Sequence, residues 1–510
     1  MRRRLLVPLL VTAGSLLASC SGAAPEPVEN APGSASATAA PGTSAAAPAR
    51  AENLVYLNTS PETGPAGSKF TVSGQGLPPA ASLEFVWVGS TGSYETSLND
   101  SRIEFHNRQF DSVLMTLGTA TVDAQGRVAG SFTAPADFGG VHDIYAVQAG
   151  QEIARAGFDL QRTISVTPLQ GPVGTTITVR VTGLGATPYT STGSVRYDNR
   201  YTGFLSATTT HGTATATFRA AGPVGDHAIE INGASHTLPY LNIEQSAVAW
   251  VGAHRYTFRV TSDDGPPPAT IDWPDPSRLG TESPFASVIA VGQSTSAQRA
   301  ILDPASGPVL SSTRVRMSGL PPGAEVDLDW ITVFGADAFG TSVDARPIAK
   351  AQVDADGRLD AAVTIPDTVG GWHAIRVSSA GETVGESGYF VERSLQEITP
   401  QRVRAGESFE VRVKGVGWTD IDNGLAVLYD SGYTGYACGS ASGGDVRVTL
   451  IATGGPGTHL IDLYPMIFDD GHGGWPWQYN TPQLTFADDH PGLALGYRLP
   501  ALRMAIEIVP

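Results

Sequence analysis

At 510 residues the chain is long enough for three to five domains, and its net charge of −17 excludes a phosphate-backbone binder, which needs clustered Lys and Arg. Gly (59) and Pro (36) are abundant and only 16% of residues are charged, a profile of many short strands joined by turns rather than of long solvent-facing helices. The only lysines are Lys69, Lys350 and Lys414, and no polybasic patch follows the extreme N-terminus, so no nucleic-acid partner is expected.

The chain opens with Arg2, Arg3 and Arg4, then the apolar run "LLVPLLVTAGSLL", then Leu17-Ala18-Ser19-Cys20. The run is short for a bilayer span, so a cleaved export signal is expected rather than a membrane helix. Leu-Ala-Ser-Cys resembles the lipobox of bacterial lipoproteins. The resemblance implies a signal peptide over 1–20, with Cys20 lipidated as the first mature residue and tied to the membrane by its acyl chains. The implied location is the cell envelope, facing outside the cytoplasm, on an outer membrane or on the outer leaflet of the plasma membrane. Residues 21–53 are rich in Ala, Pro, Ser and Gly without apolar periodicity, and read as a disordered tether.

Four segments then open alike, from Ser60, Thr167, Asp303 and Thr399, each with an early Pro and then an alternating strand that ends at Gly. In the second copy Ile177, Val179 and Val181 should point inward while Thr178, Arg180 and Thr182 face water. Each segment later repeats a landmark, "GGVHDI", "VGDHAI", "GGWHAI" or "PGTHLI", placing His142, His227, His373 and His459 at one structural position. A histidine recurring at the mouth of a strand is expected to hydrogen-bond within its sandwich. The spacings 85, 146 and 86 between these histidines show two copies of a two-domain unit with extra material between them. "YDNRYTGF" from Tyr197 matches "YDSGYTGY" from Tyr429 in the same register. The pair reads either as a turn with aromatics packed on it or as a shared binding edge.

The expected fold is all-β, with four tandem immunoglobulin-like sandwiches at 54–162, 163–262, 300–395 and 396–510 and a Pro-rich connector at 263–299. Its prolines allow a ladder only at a sheet edge. Trp87 and Trp330 stand mid-strand at equivalent places, as a core tryptophan would. "ISVTPLQGPVGTTITVRVTGLG" resembles the opening of bacterial immunoglobulin-like domains of the IPT/TIG kind. That resemblance implies an extracellular fold used for adhesion, ligand binding or spacing, and carries no catalytic residues.

Against the sister domain, domain four gains a loop that holds most of "FDDGHGGWPWQYN" at 468–480. An aromatic, Gly-rich insertion between strands belongs at a sandwich end, where binding loops usually sit. Trp475, Trp477 and Tyr479 suit stacking on sugar rings, Asp469, Asp470 and His472 suit hydroxyls or a cation, and Tyr433 belongs to the shared edge. The competing reading is a self-packed lid over the sandwich end. Asp-Asp-Gly-His lacks metal-motif spacing, and no metal or other cofactor is expected. "DADG" at Asp354 and "DAQG" at Asp123 read as hairpin turns, and "DIDNG" at Asp420 as a turn.

Cys438 and His459 share a domain, yet Ser206 holds the matching place beside His227, and neither context is a nucleophile elbow. The sequence therefore reads as a lipid-anchored, non-catalytic array of immunoglobulin-like domains for adhesion, binding or spacing. Its expected partners are the membrane, through Cys20, and a cell-wall polysaccharide or a surface protein. The alternatives are a polysaccharide- or solute-binding lipoprotein with its site on the domain-four loop, and a hydrolase centred on Cys438.

Overall fold

The computed structural model describes residues 49–99, 102–233, 238–239, 241, 253–278, 298–334, 342–419, 421–467 and 480–510. Among them are eight sheets, four of three strands and four of five or six. The first small sheet comprises Asn58–Ser60, Lys69–Gln75 and Arg127–Thr133. Its alternating residues Phe70, Val72, Val128 and Phe132 share one core with Phe85, Trp87, Ile144 and Phe158 of the larger sheet. That larger sheet runs in the order Ala49–Tyr56, Gln151–Leu160, Gly140–Gln148, Ser82–Asn99, Arg102–Thr121. Strand alternation thus gives each sheet one apolar face, and the two faces close on each other.

The opening strand of every sandwich changes sheet. It pairs antiparallel in the small sheet, passes the early Pro, and then joins the last strand of the large sheet in parallel. Thr63–Gly64 lies against Asp159 and Leu160, and Gln170–Gly171 against Arg259 and Val260. Ser306–Pro308 and Arg402–Arg404 do the same in the third and fourth sandwiches. The peptide bonds before Pro61, Pro168, Pro304 and Pro400 are all cis. This two-sheet plan is that of an immunoglobulin-like sandwich. Ile177, Val179 and Val181 are buried as the alternation requires.

Strands cross several of the expected boundaries: Gln298–Arg299 of the expected connector pairs with Gly385 and Glu386 of the third sandwich, and the fourth sandwich's first strand starts at Ser394. The first strand begins at Ala49, inside the expected tether, because Ala49 and Arg50 pair with Gln151 and Glu152 of the last strand. The connector also supplies a strand, Thr270–Asp272, which pairs with Ala501–Arg503 at the edge of the fourth sandwich's large sheet. An edge is where a strand flanked by prolines is tolerated.

The sandwiches are not strung end to end. The fourth sandwich's large sheet buries both faces. Leu425, Val427, Ile461, Leu463 and Met504 line its own core. From the opposite face Ala426, Leu428, Leu460, Tyr464 and Ala505 join the core cluster of the second sandwich. Ile331, Val369 and Phe390 of the third sandwich likewise share a cluster with Trp418, Ile421 and Tyr497 of the fourth.

Candidate functional site

Asp469, Asp470, His472, Trp475, Trp477 and Tyr479 lie outside the described residues, as does Cys20. The feet of the 468–479 segment are described. One foot, Met466 and Ile467, is buried at the end of the strand Gly457–Tyr464, and the other, Thr481 to Leu484, is buried too. The second foot runs beside the edge strand Arg200–Ser206 of the second sandwich. Phe204 N donates to Pro482 O at 2.9 Å, and Leu484 N donates to Phe204 O at 2.9 Å. Ile467 packs with Phe204 and with Tyr94 and Phe105, which come from the long hairpin of the first sandwich. The segment is therefore rooted at a junction of three sandwiches rather than at a free sandwich end. The partnered strands also differ in span: His227 faces Phe258, 31 residues on, and His459 faces Ile506, 47 residues on.

Tyr433, the one described member of the expected site, stands on Gly432–Cys438. Its hydroxyl donates to Asn480 O at the second foot, and burial pushes that hydroxyl up to about 12. Its ring meets Tyr201 edge-on, with centroids 6.1 Å apart. The duplicated motifs thus face each other. Each turns through two residues of positive φ, Asp198-Asn199 and Asp430-Ser431, the backbone of a tight hairpin turn. Arg200 of one copy donates to the Asp430 carbonyl of the other at 2.7 Å. Each copy is a turn with aromatics packed on it, and the two copies meet each other.

Asp489 holds the junction together. It is fully buried, and its carboxylate accepts from Thr208 N and Thr209 N at 2.8 Å each, from Thr209 Oγ1 at 2.7 Å and from Tyr94 Oη at 3.1 Å. Burial first, and then the Asp489 charge, push the Tyr94 hydroxyl upward. Ser206, the counterpart of Cys438, belongs to the same network through Thr485 Oγ1 at 3.1 Å and Gln483 Nε2 at 3.1 Å. Cys438 is partly buried and packs against the second sandwich's core.

A second buried polar group lies deeper in the interface between sandwiches two and four. Arg219 Nε donates to Asp462 Oδ2 at 3.1 Å, and its Nη2 donates to Met504 O at 2.6 Å. Nη2 also lies 2.7 Å from Asp462 Oδ1, an ion contact. Arg503 reaches Asp272 at 2.5 Å and Tyr464 Oη at 2.7 Å. Arg219, Asp462 and Arg503 are each less than 5% exposed. Buried charges of this kind must be paired, and here the Arg219–Asp462 pair crosses between sandwiches two and four. The sequence reading missed Asp489, Arg219 and Asp462. The available signal was "ALRMAIEIV", an arginine set in an apolar run without clean alternation, which marks a strand buried on both faces.

The four repeated histidines are structural. Nε2 of each contacts the carbonyl four residues upstream: Phe138, Pro223, Val369 and Gly455, at 2.6 to 2.9 Å. Each ring stacks on the core aromatic of its sandwich: Trp87, Tyr197, Trp330 or Tyr429. Asp123 and Asp354 cap hairpin turns, each accepting from the amides two and four residues on, as expected of turns rather than calcium loops. Asp422 of "DIDNG" also closes a turn, accepting from Thr419 N at 2.7 Å, and it is buried.

No protein-family model matches the chain, and no curated protein does. Solved structures similar to it include the ICAM-5 D1–D4 ectodomain fragment, at 12% identity over 89% of this chain and 99% of that one. Invasin, a bacterial integrin-binding protein, is similar at 13% over 84% and 78%. The alpha-2-macroglobulin of Salmonella reacted with methylamine is similar at 14% over 88% of this chain, which spans 30% of that protein. The TM-score is 0.18 in all three, too low to carry an argument about function, so the fold class rests on the strand topology.

Proposed function

We propose that the chain is an exported protein, lipid-anchored through Cys20, that binds a cell-surface ligand without catalysis through residues 468–479. The observation that supports this reading is the seating of both feet of that segment. Met466 and Ile467 on one side and Thr481 to Leu484 on the other are clamped where sandwiches one, two and four meet. Binding groups work best on a base whose own side chains are locked by packing and hydrogen bonds. Trp475, Trp477 and Tyr479 suit the apolar faces of sugar rings and Asp469, Asp470 and His472 suit hydroxyls, with Tyr433 bonded to Asn480 at the second foot. Cell-wall polysaccharide is therefore the favoured ligand class, with a surface protein second. The lateral packing of the sandwiches speaks against an extended spacer.

The test is a binding screen on residues 49–510, following tryptophan fluorescence and thermal melting against polysaccharides, peptidoglycan fragments and calcium. A variant lacking residues 469–479 runs alongside. A ligand that shifts the intact protein and leaves the deletion unmoved supports the reading, and the same shift in both refutes it. Cys20→Ala should release the full chain from membranes. A variant that stays in the membrane fraction without detergent refutes the anchor.

A further inference from the structure

Each large sheet ends on one side in a hairpin strand, and an open edge of backbone donors and acceptors invites another strand. In the second and fourth sandwiches those edges are taken up. Phe204 of Arg200–Ser206 bonds to Pro482 and Leu484, and Tyr433 of Gly432–Cys438 bonds to Asn480. The edges left are Arg102–Thr121 in the first sandwich and Ser342–Gln352 in the third, and both follow one register. Thr116 faces Val86 and Gly118 faces Phe85, with Leu117 skipped between them. Pro347 faces Asp329 and Ala349 faces Leu328, with Ile348 skipped in the same way.

The third sandwich's edge is blunted. Asp344, Arg346, Pro347 and Lys350 stand where the first has Val113, Met115, Thr116 and Thr119. Arg346 pairs with Asp344 at 3.0 Å and Lys350 with Asp327 at 3.0 Å, every side chain more than 40% exposed, so an added strand would strip water from charges. The first sandwich's edge carries no charge and no proline from Ser112 to Thr121. Pro347 also fixes a direction. It has no N–H to give, so its place in the ladder is one whose N–H points away from the neighbouring strand. Thr116, at the same place, therefore turns its N–H and C=O toward the open edge, and Leu114 and Ser112 do so at the strand's two-residue period. No strand among the described residues pairs with that side. Ser112 and Thr116 are exposed there, and Leu114, which faces Val88 across the ladder, is 40% exposed.

We propose that a second copy of this chain adds its own Ser112–Thr116 to this edge, antiparallel and centred on Leu114. The row is its own complement. About that centre Ser112 faces Thr116 and Leu114 faces Leu114, so each residue with an outward N–H and C=O meets another, and the pair exchanges both bonds. A two-fold axis requires such a self-complementary patch, and the contact closes after two copies instead of growing into a fibre. Charge favours the same occupant. Each chain carries −17, yet Asp111, the nearest charge on the strand, falls opposite Leu117, so no carboxylate of the strand meets its like. A charged peptide would find no ion-pair partner from Ser112 to Thr121. The pairing joins two large sheets into one and brings both Leu114 side chains together on its outer face, beside Val86 and Val88. It uses nothing of the 468–479 segment.

The test is sedimentation equilibrium on residues 21–510, which hold every described sandwich and leave neither the expected signal nor acyl chains to join copies. A small interface of this kind is weak, so concentration runs from about 1 to 500 μM. The mean mass should climb from one chain's value toward two. Thr116→Pro should hold it at one chain's value, and Pro347 shows that the plan accepts proline there. If Thr116→Pro fails to fold, Leu114→Lys still decides, because it sets like charges face to face at the axis on an exposed site. In a Cys438→Ser background, oxidation should join copies of Leu114→Cys and leave copies of Gln125→Cys, on an exposed turn, single. A mass of one chain at every concentration, association undiminished by Thr116→Pro or by Leu114→Lys, or equal joining of the two cysteine variants would each overturn the proposal.

Discussion

Replacing Asp489 with alanine should unlock the base on which the 468–479 segment stands. The carboxylate is fully buried and accepts four hydrogen bonds, two from backbone amides of the second sandwich and one from Tyr94 of the first. Each donor left buried and unmet costs about 1–3 kcal/mol. Some relaxation and water entry will recover part of that sum, so the expected loss is about 3–5 kcal/mol, as for removing one partner of a buried charged contact. A chain of several sandwiches need not unfold in one step, so hydrogen exchange at the Thr208 and Thr209 amides is a sharper probe than a single melting curve. Both amides should lose most of their protection. Tyr94→Phe should cost about 1 kcal/mol alone and close to nothing in the Asp489→Ala background, because the two groups share one bond. Unchanged exchange at both amides, or additive costs in the double variant, would refute this account of the junction.

Arg219→Met should destabilise by about 3–5 kcal/mol, since it strips the buried Asp462 of its closest cation and leaves Arg503 at 3.6 Å. Chemical denaturation checks it, and a loss below about 1 kcal/mol would contradict the pairing. Trp87→Phe should cost about 1–2 kcal/mol more than Trp330→Phe. Both rings are fully buried, but Trp87 Nε1 donates to Asp137 at 2.9 Å while Trp330 Nε1 has no partner among the described residues. Equal losses in paired denaturation curves would refute the difference. The histidines should separate by NMR titration. Burial lowers His373 to about 4, so the stability it contributes is present above 6.5 and fades as pH falls toward 4. At His459 burial also lowers the value, but the hydrogen bond and charge of Asp430 outweigh it and raise the group above 6.5. Its contribution is present below 6.5 and is lost as pH rises through the raised value. Coincident titrations would show that Asp430 is not its partner in solution.

Much of a single sandwich was legible along the chain because its causes are local. The alternation at Ile177, Val179 and Val181 depends only on the two-residue period of a strand, and those residues are buried. The turns at Asp123 and Asp354 close within four residues, so their sequences were enough. The repeated landmark around each histidine marks one structural position, and each does bond to its own turn. Their ring partners were not foreseen, because stacking on Trp87 or Tyr197 depends on a neighbouring strand.

What only the tertiary structure decided is how the sandwiches meet. Asp489 bonds to Tyr94 across 395 positions of chain and to Thr208 across 281, and Arg219 bonds to Asp462 across 243. No periodicity links residues so far apart, and an acidic residue near a Pro reads the same whether it faces water or closes an interface. The sequence by itself determined four strand-and-turn units, their order and their duplication, because each unit buries its own alternate residues. Whether those units would hang as a chain or press together was set by which second faces found a partner. That depends on shape and on buried charges meeting across the fold, and it has no signature at short range.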